Sequence, residues 1–103
     1  MKIIKKLYEQ IEDELSGGLE YAKCAVNHKE DHPALAKVWY DISGVEVGHA
    51  ETLHRQVVSL IGEHRARNGQ PPEAMQAVYD FLHERSMAKM EEIKRYQELY
   101  RQM

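Results

Sequence analysis

The sequence predicts an all-α protein in which a long antiparallel helical hairpin carries a third helix. Three observations predict it. Apolar residues recur every three or four positions over residues 2–27, 33–67 and 72–101, the period of an amphipathic helix. Prolines stand only between these stretches or at their first position, at Pro33, Pro71 and Pro72. Charged residues make up 30% of the chain and hydrophobic ones 43%, a balance that suits long surface helices. Each stretch far exceeds the average helix of about 11–12 residues, which argues for a bundle. Connections of about five residues make sequential helices antiparallel neighbours. A chain of 103 residues is one domain, residues 1–103.

The first helix, residues 2–27, has two heptad lines. Ile4, Ile11, Gly18 and Ala25 form one; Leu7, Glu14, Tyr21 and His28 form the other, with Leu15 and Ala22 widening the stripe. Two features break the pattern. Glu14 occupies a core line, and Gly17-Gly18 sits mid-helix, where each glycine costs about 1 kcal/mol relative to alanine. Gly18 lies one turn after Glu14 on the same face, leaving space beside the carboxylate. Such departures from local consistency are expected at functional sites. A plain alternative is a close helix approach at the glycines, with Glu14 reaching to solvent.

Residues 28–32, His-Lys-Glu-Asp-His, read as a polar turn. Asp31 or His32 is expected to cap the second helix, with Pro33 at its first position, where a missing N–H costs nothing. The inner stripe expected for the second helix is Leu35, Val38, Ile42, Glu46, His49, Leu53, Val57, Leu60 and His64. Arg65 and Arg67 suit its C-terminal dipole, and Asn68-Gly69 is a stop signal. On the third helix the stripe is Met75, Val78, Tyr79, Leu82, Ser86, Met90, Ile93, Tyr96 and Tyr100, with Lys, Arg and Glu opposite.

A net charge of −3, from 14 basic and 17 acidic side chains, gives no footprint for nucleic acid or an anionic membrane. No long apolar run marks a signal or a membrane span. The single cysteine, Cys24, precludes an intrachain disulfide and suits the reducing cytoplasm. It reads as a small half-buried filler rather than a nucleophile.

The chemistry-bearing residues lie at Glu46-Val47-Gly48-His49. Residues three apart share a helix face, so a carboxylate and an imidazole sit on an otherwise apolar stripe between Ile42 and Leu53. A buried charge needs a partner, and a metal ion would satisfy both groups. Glu-x-x-His alone is a weak signal, and the chain holds a second copy at Glu51 and His54 on another face. Asp80 and His83 form a related pair at the edges of the third stripe. What singles out Glu46 and His49 is register. Folding the hairpin about residue 30 makes Glu14 equidistant from the turn with Glu46. Glu14, Glu46 and His49 are thus expected at one level, with Tyr21 two turns after Glu14 as a hydrogen-bond donor behind the ligands.

A Glu on one helix followed by Glu-x-x-His on the next, antiparallel helix resembles half of the ferritin-like di-iron proteins, the ferritins and rubrerythrins. The spacing from Glu14 to Glu46 and the pair Glu14–Tyr21 are similar to that family over roughly residues 8–62. Small ferritin-like proteins of bacteria and their phages look similar. The family's site takes two Glu helices and two Glu-x-x-His helices. Here the third helix has no Glu-x-x-His and there is no fourth. Two hairpins related by a two-fold axis, the commonest assembly, would supply the full set, as in encapsulin-associated ferritin-like proteins.

The resemblance thus implies a ferritin-like four-helix core made by homodimerisation, or a larger assembly of dimers. It implies two metal ions per dimer, iron first and manganese or zinc as alternatives. Glu46 would bridge them, while Glu14 and His49 would be terminal ligands. The reaction implied is oxidation of Fe(II) by dioxygen or peroxide. Two other readings stand beside it. One is a metal-free helical interaction or structural module in which Glu14 and His49 satisfy each other. The other is a single structural metal that locks a dimer. The Cys-x-x-Cys of full rubrerythrins is absent, so no built-in electron relay is expected.

Overall fold

The computed structural model describes residues 2–103, and among them every regular element is helical. Helix α1 spans Lys2–His28, α2 Pro33–Asn68 and α3 Glu73–Gln102. The three lie side by side as a rod of 55 × 18 × 17 Å. The ends fall within a residue or so of the boundaries read from periodicity. Capping differs from expectation. His32 occupies the N-cap of α2 without a side-chain cap bond. The turn is held by backbone instead: the His32 N–H donates to His28 O at 2.9 Å and the Ala36 N–H to His32 O at 2.8 Å. Gly69 ends α2 at φ 75°, its N–H bonded to Arg65 O. That left-handed conformation favours glycine.

The α1–α2 contact is built from small residues. Ala36, Ser43 and Ala50 on α2 are fully buried, as are Ile4, Ile11 and Ala25 on the facing line of α1. Gly18, on that same line, is buried too, and at this level the two backbones nearly touch. A Cβ on Gly18 would lie 3.4 Å from Glu46 Cβ and 3.6 Å from the Ser43 carbonyl oxygen. Close approach needs small side chains at the point of contact, so larger ones are pushed to the flanks. This corrects the expected stripe of α2. Its buried line is Ala36, Ser43, Val47, Ala50 and Val57, one step round the helix from the predicted one. Of the predicted stripe only Val57 is buried. Leu35 and Val38 are 44% and 50% exposed, and Ile42, Leu53 and Leu60 are half-buried.

Helix α3 runs back alongside α1 and fills the groove with Tyr79, Ser86, Met90, Ile93 and Tyr100. Five of its nine predicted stripe residues are thus buried, Met75, Leu82 and Tyr96 are half-buried, and Val78 is exposed at 54%. On α1 it engages Glu12, bonded by Arg85 and Lys89, and Ser16, bonded by Lys89 at 3.1 Å. Near the hairpin turn, Tyr100 stacks on Tyr40 with ring centroids 4.4 Å apart. The Lys29 ammonium donates to the Tyr100 and Met103 carbonyls there. Cys24 is half-buried, its Sγ 3.8 Å from Glu20 Oε1. Burial and that carboxylate push its pKa up, which leaves an unreactive thiol. No described helix is long and apolar enough to cross a membrane.

Candidate metal centre

Glu12 faces α3. Glu14, two residues on, is turned about 200° round a helix of 3.6 residues per turn. It therefore points to the opposite side of the rod, away from α3. On α2, Glu46 and His49 reach the same side. Glu46 can do so because of the glycine pair. Its Cβ sits over Gly18, and its Oε2 lies 3.5 Å from where a Gly17 Cβ would be. The free space beside the carboxylate is over Gly17; the space over Gly18 is taken up by the approach of α2.

The three side chains predicted from register come together. One ligand atom each from Glu14, Glu46 and His49 lies within 4.8 Å of the others. His49 Nδ1 is 3.3 Å from Glu14 Oε2. The Glu46 carboxyl is held above its ordinary range, first by the Glu14 carboxylate that contacts it, then by burial; His49 pulls weakly the other way. Two acids that face each other cannot both ionise freely, so a shared proton or a cation is favoured. The site is open on one side, with the His49 side chain 57% exposed and Glu14 29%. Tyr21 lies beside Gly17, its Cε2 3.9 Å from the position of a Cβ there. Its hydroxyl has no hydrogen-bond partner among the described residues.

The donor set suits a metal. Three atoms spread evenly about one ion at about 2.0–2.2 Å lie no more than about 3.8 Å from one another, so donors spread over up to 4.8 Å close by about 1 Å through side-chain rotation. Mixed carboxylate and imidazole donors suit iron, manganese or zinc. Three donors from one chain leave coordination positions open.

The other pairs noted in the sequence fall elsewhere. His54 Nε2 and His83 Nδ1 are 3.1 Å apart across α2 and α3, a juxtaposition that spacing alone did not show. His28 Nδ1 sits 3.3 Å from Asp31 Oδ2 in the turn. No family model, curated protein or solved structure matches the chain, so the chemistry is read from the donors themselves.

Proposed function

We propose that Glu14, Glu46 and His49 are one half of a carboxylate–histidine two-metal centre that a second copy of the chain completes, and that the centre oxidises Fe(II) with dioxygen or peroxide. One observation carries this: three ligand atoms from two helices converge within 4.8 Å of one another on an open face. What surrounds them supports the dimer. Leu35, Val38 and Val45 are 44%, 50% and 54% exposed, and they run along the same side of α2 as Glu46 and His49. A second copy placed about a two-fold axis would cover that apolar stripe and bring its own three donors to the first three. In that arrangement four carboxylates offset the charge of two cations, and Glu46, nearest the axis of α1–α2 contact, is the bridging candidate.

Iron held there by Glu14, Glu46 and His49 would supply the redox chemistry, one electron per Fe(II) passing to the oxidant. The chain's residues bind and hold charge. A bound cation would relieve the repulsion between the Glu14 and Glu46 carboxylates that raises the Glu46 pKa. His49, mostly in solvent, is free to rotate onto the ion. The resemblance to ferritin-like proteins adds weight to iron over zinc.

A second reading is a metal-free helical interaction module. The contact between His49 and Glu14 favours it, as does the raised pKa of Glu46 beside the Glu14 carboxylate, because the three groups then lie against one another without an ion. One experiment separates the two. Fe(II) is added without oxygen, air is admitted, and the near-ultraviolet absorbance of the ferric product is followed for wild type and Glu46→Ala. Faster oxidation by wild type is expected; equal traces leave the metal-free module. A strict monomer by light scattering in metal-replete buffer would exclude the shared centre.

A further inference from the structure

A groove of about 630 Å³ runs between α1 and α3, towards the end of the rod away from the hairpin turn. Tyr8, Met75 and Leu82 line it and are buried or half-buried. Val78 and Phe81 line it too, yet they are 54% and 61% exposed. Phe81 is the one phenylalanine of the chain and the most exposed large apolar side chain among the described residues. An aromatic ring has a large area to bury, and apolar surface left open beside a groove marks a contact with another molecule.

The charges around the groove select its occupant. Lys5 and Arg85 line it together with Glu9 and Glu12, so the patch has no net charge to attract a strongly basic or acidic partner. Arg85 is already bonded to Glu12. Lys5 and Glu9 are exposed and have no ion-pair partner among the described residues. They sit one turn apart on one face of α1. A two-fold axis passing between them reverses their order, so each lysine meets the other copy's glutamate. Arg85 bonds Glu12 and Lys89 bonds Ser16, so α1 and α3 run in step, with Lys5 level with Val78 and Glu9 level with Leu82. The same axis therefore brings Phe81 between the levels of Val78 and Leu82 in the other copy, where that copy is apolar. Projecting ring and groove lie on one patch, as a contact between identical surfaces requires.

We propose that the α1–α3 groove docks a second copy of the chain about a two-fold axis, with Phe81 of each copy in the groove of the other and Lys5 paired with the other copy's Glu9. This contact is distinct from the hairpin face. Glu12 lines the groove, whereas Glu14 points about 200° away round α1, so the Glu14–Glu46–His49 cluster stays uncovered and its assignment is not needed. The α3 side of the groove runs over residues 74–85, roughly 18 Å at ~1.5 Å per residue. A contact of that length buries less than ~1,200 Å² in total, the range of transient association. The dimer therefore forms at high protein concentration.

The test is made on the full chain carrying Val38→Lys, which charges the hairpin face and isolates the groove. Sedimentation equilibrium in chelator is run from about 10 μM to about 1 mM, the window of weak association. The mass should rise from monomer towards dimer across that range. Phe81→Ala should weaken the association by ~10-fold or more, as loss of a central aromatic anchor does. Lys5→Glu and Glu9→Lys should each weaken it by ~3-fold or more, since a two-fold contact holds the pair twice. The two together should restore it, because the exchanged charges again complement themselves. All three side chains are exposed, so the variants keep their fold, and helical circular dichroism checks this. Association that Phe81→Ala leaves unchanged would overturn the proposal, as would a chain still monomeric at about 1 mM. If that monomer binds anilinonaphthalene sulfonate and Phe81→Ala abolishes the binding, the groove is a small-ligand site instead. A double exchange as weak as the single ones would overturn the two-fold pairing of Lys5 with Glu9.

Discussion

His49 Nδ1 lies 3.3 Å from Glu14 Oε2, although 35 residues and a tight turn separate them. The contact ties the middle of α1 to the middle of α2 on the face that α3 leaves uncovered. Glu46 completes the group, and its carboxyl is raised by the Glu14 carboxylate and by burial.

Because that carboxyl is raised above its ordinary value of 4.5, the folded chain holds the Glu46 proton more tightly than the unfolded chain does. The contribution is absent below the unfolded pKa. It turns against folding as pH rises past the unfolded pKa and is complete above the folded one. Metal-free Glu46→Gln removes it. We expect the variant to be more stable than wild type at pH 7 in chelator and to lose that advantage near pH 4. Thermal unfolding at the two pH values measures this. A variant less stable than wild type at pH 7 would contradict the repulsion between the two acids.

The glycine pair gives opposite expectations for the same substitution. A Cβ on Gly17 meets its nearest neighbour, Glu46 Oε2, at 3.5 Å, an ordinary contact. Gly17→Ala should therefore gain most of the roughly 0.5–1 kcal/mol that alanine offers within a helix. On Gly18 a Cβ comes within 3.3 Å of Ile93 Cδ1, and Ile93 is fully buried. Gly18→Ala needs Ile93 or Glu46 to give by a few tenths of an ångström in a closely packed contact. It should be the less stable of the two variants by about 1 kcal/mol or more, of the order of mild overpacking. Urea unfolding of both reads the difference.

Lysine at Leu35 or Val38 places a charge on the uncovered stripe, two or more helical turns from Glu46 and His49. Such variants should stay folded, because neither residue belongs to the buried line of α2. Under the proposed function they should sediment as monomers where wild type is a dimer, and their Fe(II) oxidation should fall with the loss of association. A lysine variant that remains dimeric would place the interface elsewhere.

Leu15 is fully buried where α1 meets its neighbours. Leu15→Ala should cost about 2–5 kcal/mol. In a chain of this size each kcal/mol lowers Tm by roughly 4–8 °C, so calorimetry should show a large shift.

Much of this was legible in the sequence, for identifiable reasons. The three helices followed from period and from Pro33, Pro71, Pro72 and Gly69, because backbone geometry at those positions allows little else. The meeting of Glu14 with Glu46 followed from distance to the turn. The rotation of α2 did not. Its pattern carries two adjacent faces, small residues at 36, 43 and 50 and large ones at 35, 38 and 42. Only the close approach at Gly18 decides that the small face goes inward. The His54–His83 pair was hidden because it depends on how α3 slides along α2, which no turn of fixed length sets.

One lysine holds the far end of the rod. The Lys29 ammonium bonds the Tyr100 and Met103 carbonyls and lies 4.2 Å from the Tyr100 ring centroid, so a positive charge faces the negative end of the α3 dipole. The last turn of α3 is thus secured by a residue of the first hairpin as well as by Arg101 and Gln102, which bond Glu98. A neutral side chain there, as in Lys29→Met, would let that turn fray and speed its amide exchange while the middle of the helix stays protected.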